Sequence, residues 1–88
     1  MRRTKLEIVN DILIAINNSG GKIKPTRLLY KANLSYRKLI EYVNELRDKK
    51  MVLEKIIDNK RYYTITEKGI MFINEFKKIK EFSDSFGL

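Results

Sequence analysis

Hydrophobic positions at the centre of the chain repeat at helical spacing in two blocks, a short one and a longer one. The short block opens with Pro25, which suits the first turn of a helix because its missing N–H needs no partner there. Asn33 tolerates the turn that separates the blocks, and Ser35 is a favourable N-cap for the second helix. One face of that helix is apolar at i, i+3, i+4, i+7 and i+10, namely Tyr36, Leu39, Ile40, Val43 and Leu46. Residues 25–52 therefore predict a helix-turn-helix unit.

An amphipathic helix is also predicted before this unit. Thr4 and Glu7 have the spacing of a capping box, in which each side chain satisfies a backbone N–H of the other residue. The core face follows helical periodicity and comprises Leu6, Val9, Ile12, Leu13 and Ile16. The sequence Asn-Asn-Ser-Gly-Gly at 17–21 ends this helix, because glycine adopts the left-handed backbone that follows a helix terminus. We expect a very short strand at 22–24.

A β-hairpin and a last helix are predicted after the unit. The strand-like runs cover 51–57 and 61–65, and Asp58-Asn59-Lys60 between them suits a tight turn. A helix-turn-helix followed directly by a β-hairpin is the winged-helix arrangement. Thr66 is the predicted N-cap of a helix that continues to about Phe82. Its residues expected on the core are Ile70, Ile73 and Phe76.

The predicted fold class is therefore α+β, mainly α. It is a winged helix-turn-helix with a C-terminal dimerisation helix. We divide the chain into a winged helix-turn-helix domain at 1–65, which includes an N-terminal basic arm, and a dimerisation helix with a short tail at 66–88.

More apolar surface remains on the helices than one small domain buries. Ile8 and Ile14 project away from the core stripe of the first helix and need a second cover. On the last helix a seam with four-three spacing lies partly on a different arc from the core face, and it comprises Phe72, Phe76, Ile79 and Phe86. We interpret these six residues as a homodimer interface, with parallel or antiparallel packing left open. The alternative is a helix folded back on its own domain that buries both arcs.

The composition argues against catalytic chemistry. The chain has 88 residues, enough for one small domain, and contains neither cysteine nor histidine. Disulfide and thiol chemistry are therefore excluded, and the usual general base and metal ligand are missing. We expect no enzymatic activity and no cofactor, metal or evident small-molecule effector. No apolar run has membrane-spanning length and no signal peptide is visible, so we expect a cytoplasmic protein.

The net charge of +8 predicts a polyanionic partner, most simply nucleic acid. No acidic residue lies between Asp11 and Glu41, and this interval contains Lys22, Lys24, Arg27, Lys31, Arg37 and Lys38. The longer helix of the central unit thus has a cationic N-terminal end, which suits insertion into a DNA groove. The alternative is a small basic protein whose charge only keeps it soluble.

The candidate DNA contacts fall into three groups. We expect three cations before and within the first helix of the unit to anchor phosphates: Lys24, Arg27 and Lys31. The start of the recognition helix places five residues at the major groove, namely Ser35, Tyr36, Arg37, Lys38 and Glu41. Glu41 can accept a hydrogen bond from a cytosine amino group. The hairpin contributes Lys55, Lys60 and Arg61, on the backbone or in the minor groove. In addition, residues 1–5 are expected to form a frayed basic arm that carries Arg2, Arg3 and Lys5, and this arm either reaches a phosphate backbone or a minor groove or stays a solvated terminus.

The stretch LLYKANLSYRKLIEYVNELRDKKMV, followed by YYTITEKG, resembles the archaeal winged helix-turn-helix DNA-binding proteins. It is most similar to the small, basic chromatin-type members called the 10a proteins. The matching positions include Tyr30, the run Ala32-Asn33-Leu34-Ser35-Tyr36, and the closing Thr66-Glu67-Lys68-Gly69. The resemblance spans nearly the whole chain. It implies a DNA-binding winged helix that dimerises through its C-terminal helix.

In the chromatin-type members that last helix is long and forms an antiparallel coiled coil. Here only residues 67–88 follow Thr66, so a more compact dimer, as in regulators of archaeal viruses and plasmids, is equally consistent. We predict a homodimeric duplex-DNA-binding transcriptional regulator, associated with the nucleoid. The alternatives are a sequence-tolerant chromatin-type protein that organises DNA, and a protein-interaction winged helix in a larger assembly.

Overall fold

The computed structural model describes residues 2–88, and Met1 lies outside the described residues. Seven elements follow one another along the chain: α1 (Lys5–Asn18), β1 (Lys22–Ile23), α2 (Pro25–Lys31), α3 (Tyr36–Asp48), β2 (Val52–Ile57), β3 (Lys60–Ile65) and α4 (Glu67–Ser85). The three strands form an antiparallel sheet in the order β1-β3-β2. The predicted fold class, a mainly helical α+β winged helix-turn-helix, is confirmed.

Local sequence signals set the boundaries of α1. The Glu7 backbone N–H donates to the Thr4 hydroxyl at 3.2 Å, and the Thr4 backbone N–H donates to the Glu7 carboxylate at 2.9 Å. This is the predicted capping box. After Asn18, Gly20 and Gly21 adopt φ angles of +80° and +88°, which side chains with a Cβ rarely tolerate. The predicted end of the helix is confirmed, as is the short strand that follows it.

The helix-turn-helix forms for the reasons that its sequence indicates. Pro25 occupies the first turn of α2, and Asn33 turns the chain with a φ of 54°. The Leu34 backbone N–H donates to the Leu29 carbonyl at 3.1 Å. The Ser35 hydroxyl then caps α3 by accepting from the Lys38 N–H at 3.3 Å. Each of these bonds uses a backbone group that the helix termini would otherwise leave unpaired.

Strands β2 and β3 form the wing. Asp58 and Asn59 both have positive φ, at 52° and 62°, as the tight two-residue hairpin turn requires. The predicted turn was one residue too long, because Lys60 already pairs with Ile57 in the ladder. Strand β1 adds to the far side of β3 through Lys22 and Ile23 and ties the end of α1 to the sheet.

One small hydrophobic core lies between α1, α2, α3 and the sheet. Its fully buried large side chains are Ile12, Leu13, Ile16, Leu28, Leu39, Val43 and Val52. Three residues predicted for this core are exposed instead: Leu6 (55%), Tyr36 (59%) and Ile70 (38%). Each lies in the first turn of its helix, where periodicity marks the correct arc but no neighbouring element covers it. Those three assignments were wrong.

The start of α4 is packed closely against the loop before the wing. The Thr66 hydroxyl donates to the Lys50 carbonyl at 2.7 Å, and the Thr66 N–H donates to the Met51 carbonyl at 3.1 Å. Phe72 and Ile73 then pack against the core. The helix continues to Ser85, three residues past its predicted end. Almost every side chain from residue 77 onward is exposed, so the second half of α4 projects from the domain.

Candidate nucleic-acid interface

The outer face of α3 presents the residues predicted to read the major groove. Arg37, Lys38 and Glu41 are exposed on this face, beside Ser35 and Tyr36 at its start. Glu41 lies 3.6 Å from the Arg37 guanidinium and 3.8 Å from the Lys38 ammonium. One carboxylate therefore partly compensates two cations. Exposed ion pairs of this kind contribute little free energy, so Arg37 and Lys38 can leave Glu41 and bind a ligand instead at little energetic cost.

The first residue of α3 shares a depression with α2 and the wing. This depression is lined by Lys24, Pro25, Thr26, Leu29, Tyr36, Lys60 and Arg61. Tyr36 lies here because it begins α3 at the end of its apolar stripe, where no other element covers it. The fold thus brings together residues from all three predicted groups: Lys24 for phosphates, Tyr36 for the major groove, and Lys60 and Arg61 from the wing.

A second, larger depression lies between α1, β1 and α2, and we call it the cationic groove. It has a volume of about 720 Å³ and is lined by Lys22, Lys24, Arg27 and Lys31 together with Tyr62. Lys24, Arg27 and Lys31 share one side of α2 because they are spaced by three and four residues. None of the four cations forms an ion pair within residues 2–88. The acid in this lining, Asp11, is bonded to Arg3 at 2.8 Å.

Lys22 is a member of this groove that was not among the predicted DNA contacts. It lies inside the acid-free interval, but the predicted contacts come from the helix-turn-helix and the wing alone. Strand β1 pairs Lys22 with Thr64 and thereby carries it beside α2. Its ammonium also lies 5.1 Å from the centre of the Tyr62 ring, in cation–π geometry.

The three predicted cations of the wing differ in whether they form an ion pair. Lys55 and Lys60 make no ion pair within the described residues, whereas Arg61 lies 3.8 Å from Glu54. Glu54 is also bonded by Arg47 of α3 at 3.1 Å. Arg47 therefore links α3 to the wing through Glu54, and Arg61, which pairs with Glu54 within the wing, is the predicted wing contact that already has a partner inside the domain.

The N-terminal cations do not form the predicted arm. Lys5 lies within α1 and its ammonium is bonded to the Glu45 carboxylate of α3 at 2.7 Å. Arg3 is bonded to three acceptors of the domain. Arg2 is exposed. The prediction of a frayed arm over residues 1–5 was wrong for Arg3 and Lys5, because acceptors distant in sequence hold both side chains.

The Lys5–Glu45 bond predicts a pH dependence of stability. The Lys5 ammonium holds the pKa of Glu45 below its ordinary value of 4.5, and the bond to Glu45 raises the pKa of Lys5 above 10.5. A carboxyl whose pKa is lowered on folding stabilises the fold above its unfolded pKa, and that contribution is lost as the pH falls through the folded pKa. Glu7 acts in the same direction, because the Thr4 backbone N–H bonds its carboxylate and lowers its pKa.

We therefore expect the thermal midpoint to fall below about pH 4.5. Glu45→Gln should lower the midpoint at neutral pH and make the fall in acid smaller, with Glu7 retaining the remainder. Circular dichroism melts from about pH 7 to pH 3 measure both effects. Glu75→Gln, on exposed α4, is the matched control for removing one carboxylate. An identical acid profile for Glu45→Gln and the wild type would contradict the assignment.

The predicted dimer residues separate into buried and exposed groups. Ile8 and Phe72 pack against the core of their own chain, and Ile14 and Phe76 are half-buried along a shallow groove between α1 and α4. Ile79 and Phe86 are exposed, at 66% and 67%. Phe82, which was not included in the prediction, is 65% exposed and its ring lies 4.8 Å from that of Phe86. It falls at i+3 from Ile79 and so belongs to the same face.

A tri-helical helix-turn-helix core, a β-hairpin wing and an added last helix define the winged helix-turn-helix class. The chain belongs to the winged helix-turn-helix family, whose model matches residues 2–84. The part of the chain that the structure describes contains no helix long and apolar enough to cross a membrane.

Solved structures support this family and the resemblance to archaeal and viral winged-helix proteins. Sso10a-2, a DNA-binding protein from Sulfolobus solfataricus, is 33% identical with a TM-score of 0.76, over 97% of this chain and 90% of that one. F93 from STIV, a winged-helix DNA-binding protein, is 19% identical with a TM-score of 0.76, over 91% and 92% of the two chains. The second likeness concerns the fold alone.

A curated relative matches as well. It is an uncharacterised protein of Methanocaldococcus jannaschii that is 27% identical over 79 residues, which is 90% of this chain. The chain spans about a third (35%) of the length of that relative.

Proposed function

We propose that this chain is a homodimeric protein that binds duplex DNA and acts as a transcriptional regulator. The observation that carries the proposal is the cationic groove. Four cations without ion-pair partners in the described residues line one depression beside the helix-turn-helix. Uncompensated lysine and arginine side chains on one face release condensed counterions when they meet phosphates, and this release supplies most non-specific affinity for DNA.

In this proposal two sets of charged side chains have different roles. The cationic groove, with Lys55 and Lys60 of the wing, binds phosphates and provides affinity. The outer face of α3 enters the major groove. There the Arg37 and Lys38 side chains leave their ion pairs with Glu41 and form hydrogen bonds to base edges. Glu41 lowers the net charge of the recognition face, so this face gains little from phosphates alone. A face with both signs of charge favours discrimination between sequences over indiscriminate binding, which supports a regulator.

The proposed dimer uses the projecting half of α4. An isolated helix of this length is only marginally stable in water, since most helical stability in proteins comes from packing an apolar face. The projecting half nevertheless carries Ile79, Phe82 and Phe86 on one exposed face. A second copy of this chain would cover that face. Two recognition helices about 34 Å apart would then read successive major grooves on one side of the duplex.

We expect the double variant Ile79→Gln/Phe82→Gln to dissociate the dimer and to weaken DNA binding. The reason is that each glutamine replaces apolar area that the interface would bury. Light scattering coupled to size exclusion measures the mass. Asp84→Gln, on the opposite face of α4, is the control and should stay dimeric. A wild-type chain that is monomeric at about 100 μM would contradict the dimer without affecting DNA binding by a single domain.

The test of DNA binding is fluorescence anisotropy with a labelled mixed-sequence duplex of about 30 base pairs, from about 50 to 300 mM salt, with unlabelled competitor DNA. Weak binding with a steep negative salt slope is expected for a regulator away from its operator, and site selection should then recover a tighter sequence. Tight binding that any competitor removes equally would instead indicate a sequence-tolerant chromatin-type protein. No binding at low salt would overturn the proposal and favour a protein-interaction domain.

A further inference from the structure

Arg3 makes the most extensive set of long-range polar contacts in the described part of the chain. Its Nη1 donates to the Asp11 carboxylate at 2.8 Å and to the Ala32 carbonyl at 2.7 Å. Its Nη2 donates to the Asn33 carbonyl at 2.8 Å. One guanidinium therefore joins α1 to the end of α2 and the turn that follows it, across 29 and 30 positions of sequence.

The two carbonyls belong to the turn of the helix-turn-helix. Ala32 caps the C-terminus of α2, and Asn33 holds the positive φ that redirects the chain into α3. Carbonyls at a helix C-terminus lack intrahelical donors, and a cation there is favourable. The turn is thereby fixed from outside by a charged group, in addition to its own backbone bonds. Asp11 in turn fixes the direction of the guanidinium.

We propose that Arg3 is a positioning residue that sets the orientation of α3 relative to α1 by bonding the helix-turn-helix turn. This inference rests on the proposed DNA binding, since orientation matters when α3 must enter a groove. Lys5 supports the same arrangement from the other side, because its bond to Glu45 holds the last turn of α3 against the start of α1. In this proposal Arg3 and Lys5 therefore bind acceptors within the protein and do not contact DNA.

A positioning role and a phosphate contact require different chemistry from the side chain. Positioning uses the planar fork, which reaches two carbonyls and a carboxylate at once, and a lysine ammonium cannot reproduce it. A phosphate contact needs a positive charge, which lysine also supplies. Arg2 provides an internal comparison, because it is exposed, adjacent in sequence, and makes no hydrogen bond or ion pair within residues 2–88.

The test compares Arg3→Lys, Arg3→Ala and Arg2→Ala by anisotropy over a salt series. If only about a tenth of the molecules keep α3 in the orientation that binds DNA, the apparent Kd rises about tenfold. We expect this rise for both Arg3 variants, with the slope against salt unchanged because the same number of phosphates is still neutralised. Arg2→Ala should change affinity by less than about threefold. Circular dichroism establishes that each variant is folded at the temperature used.

Hydrogen exchange supplies a readout that does not depend on DNA. The backbone N–H groups of Ala32, Asn33 and Leu34 close the turn, and they should exchange faster in Arg3→Lys while those of the wing do not change. Full DNA affinity in Arg3→Lys, or a salt slope flatter by about 0.9 in Arg3→Ala, would overturn the proposal in favour of a phosphate contact. Unchanged exchange at the turn would also overturn it. If the wild type binds no DNA, the proposed function fails, and the exchange result still decides whether Arg3 holds the turn.

Discussion

Replacing Lys24, Arg27 and Lys31 together with glutamine is expected to weaken duplex binding at least about a hundredfold near 0.1 M salt. The three side chains line the cationic groove and make no ion pair within the described residues, so their full charge is available to phosphates. The slope of log affinity against log salt should become less steep by about 0.9 for every phosphate that the variant no longer neutralises. Anisotropy over a salt series gives both quantities from one set of titrations.

The control for this variant removes the same charge elsewhere. Lys49, Lys68 and Lys77 are exposed at the end of α3 and along α4, away from the groove. Their replacement by glutamine should change the salt slope little. Equal losses of affinity in the two triple variants would mean that net charge alone drives binding, and the groove would then have no special role. Because all six side chains lie at the surface, neither variant should lower the thermal midpoint substantially.

Gly69→Ala is expected to destabilise the fold by about 2 kcal/mol, within the range measured for overpacked sites. A Cβ at this position would lie 2.6 Å from the Met51 carbonyl oxygen and 2.7 Å from Cγ1 of Ile65. The carbonyl cannot retreat easily, because it accepts the Thr66 N–H that anchors α4. Helix propensity alone favours alanine over glycine by about 1 kcal/mol, so the variant is less stable than the wild type only if the steric clash costs more than that.

Urea unfolding followed by circular dichroism, at fixed protein concentration, measures this difference. Lys68→Ala is the matched control, since it introduces alanine at the preceding, exposed position of α4 and should stay within about 0.5 kcal/mol of the wild type. A Gly69→Ala variant as stable as the wild type would show that α4 can shift away from the loop before the wing. Such a shift would also move the projecting half of the helix, so the dimer mass should be measured on the same sample.

Local signals predicted most of the fold, and the wrong core assignments share one cause. The Thr4–Glu7 capping box, Pro25, the Ser35 cap and the Asp58-Asn59 turn each act over two to four residues. The first three occur as predicted, and the hairpin turn differs only in that Lys60 belongs to β3. Leu6 and Tyr36 failed because periodicity gives the direction of a side chain but not the extent of the element that covers it. Both lie in a first turn, where the covering surface ends.

The position of the candidate site could be predicted from the sequence, but which of its charged side chains form ion pairs could not. The acid-free interval from Asp11 to Glu41 indicated the basic face, and the structure places four of its cations, Lys22, Lys24, Arg27 and Lys31, around the cationic groove. Which of the predicted cations are free could not be read from the sequence. In the wing, Arg61 pairs with Glu54, whereas Lys22 in the acid-free interval makes no ion pair in the described residues and reaches the groove on a two-residue strand.

The sequence by itself determined the elements, their order, their caps and turns, and the sign of the charge, because these depend on neighbours within about one helical turn. The tertiary structure decided which charges are neutralised inside the protein. Arg3 meets Ala32 and Asn33 across 29 and 30 residues, and Lys5 meets Glu45 across 40. Such pairs form because the packing of α1 on the helix-turn-helix brings them within hydrogen-bond distance, and no local spacing encodes that approach.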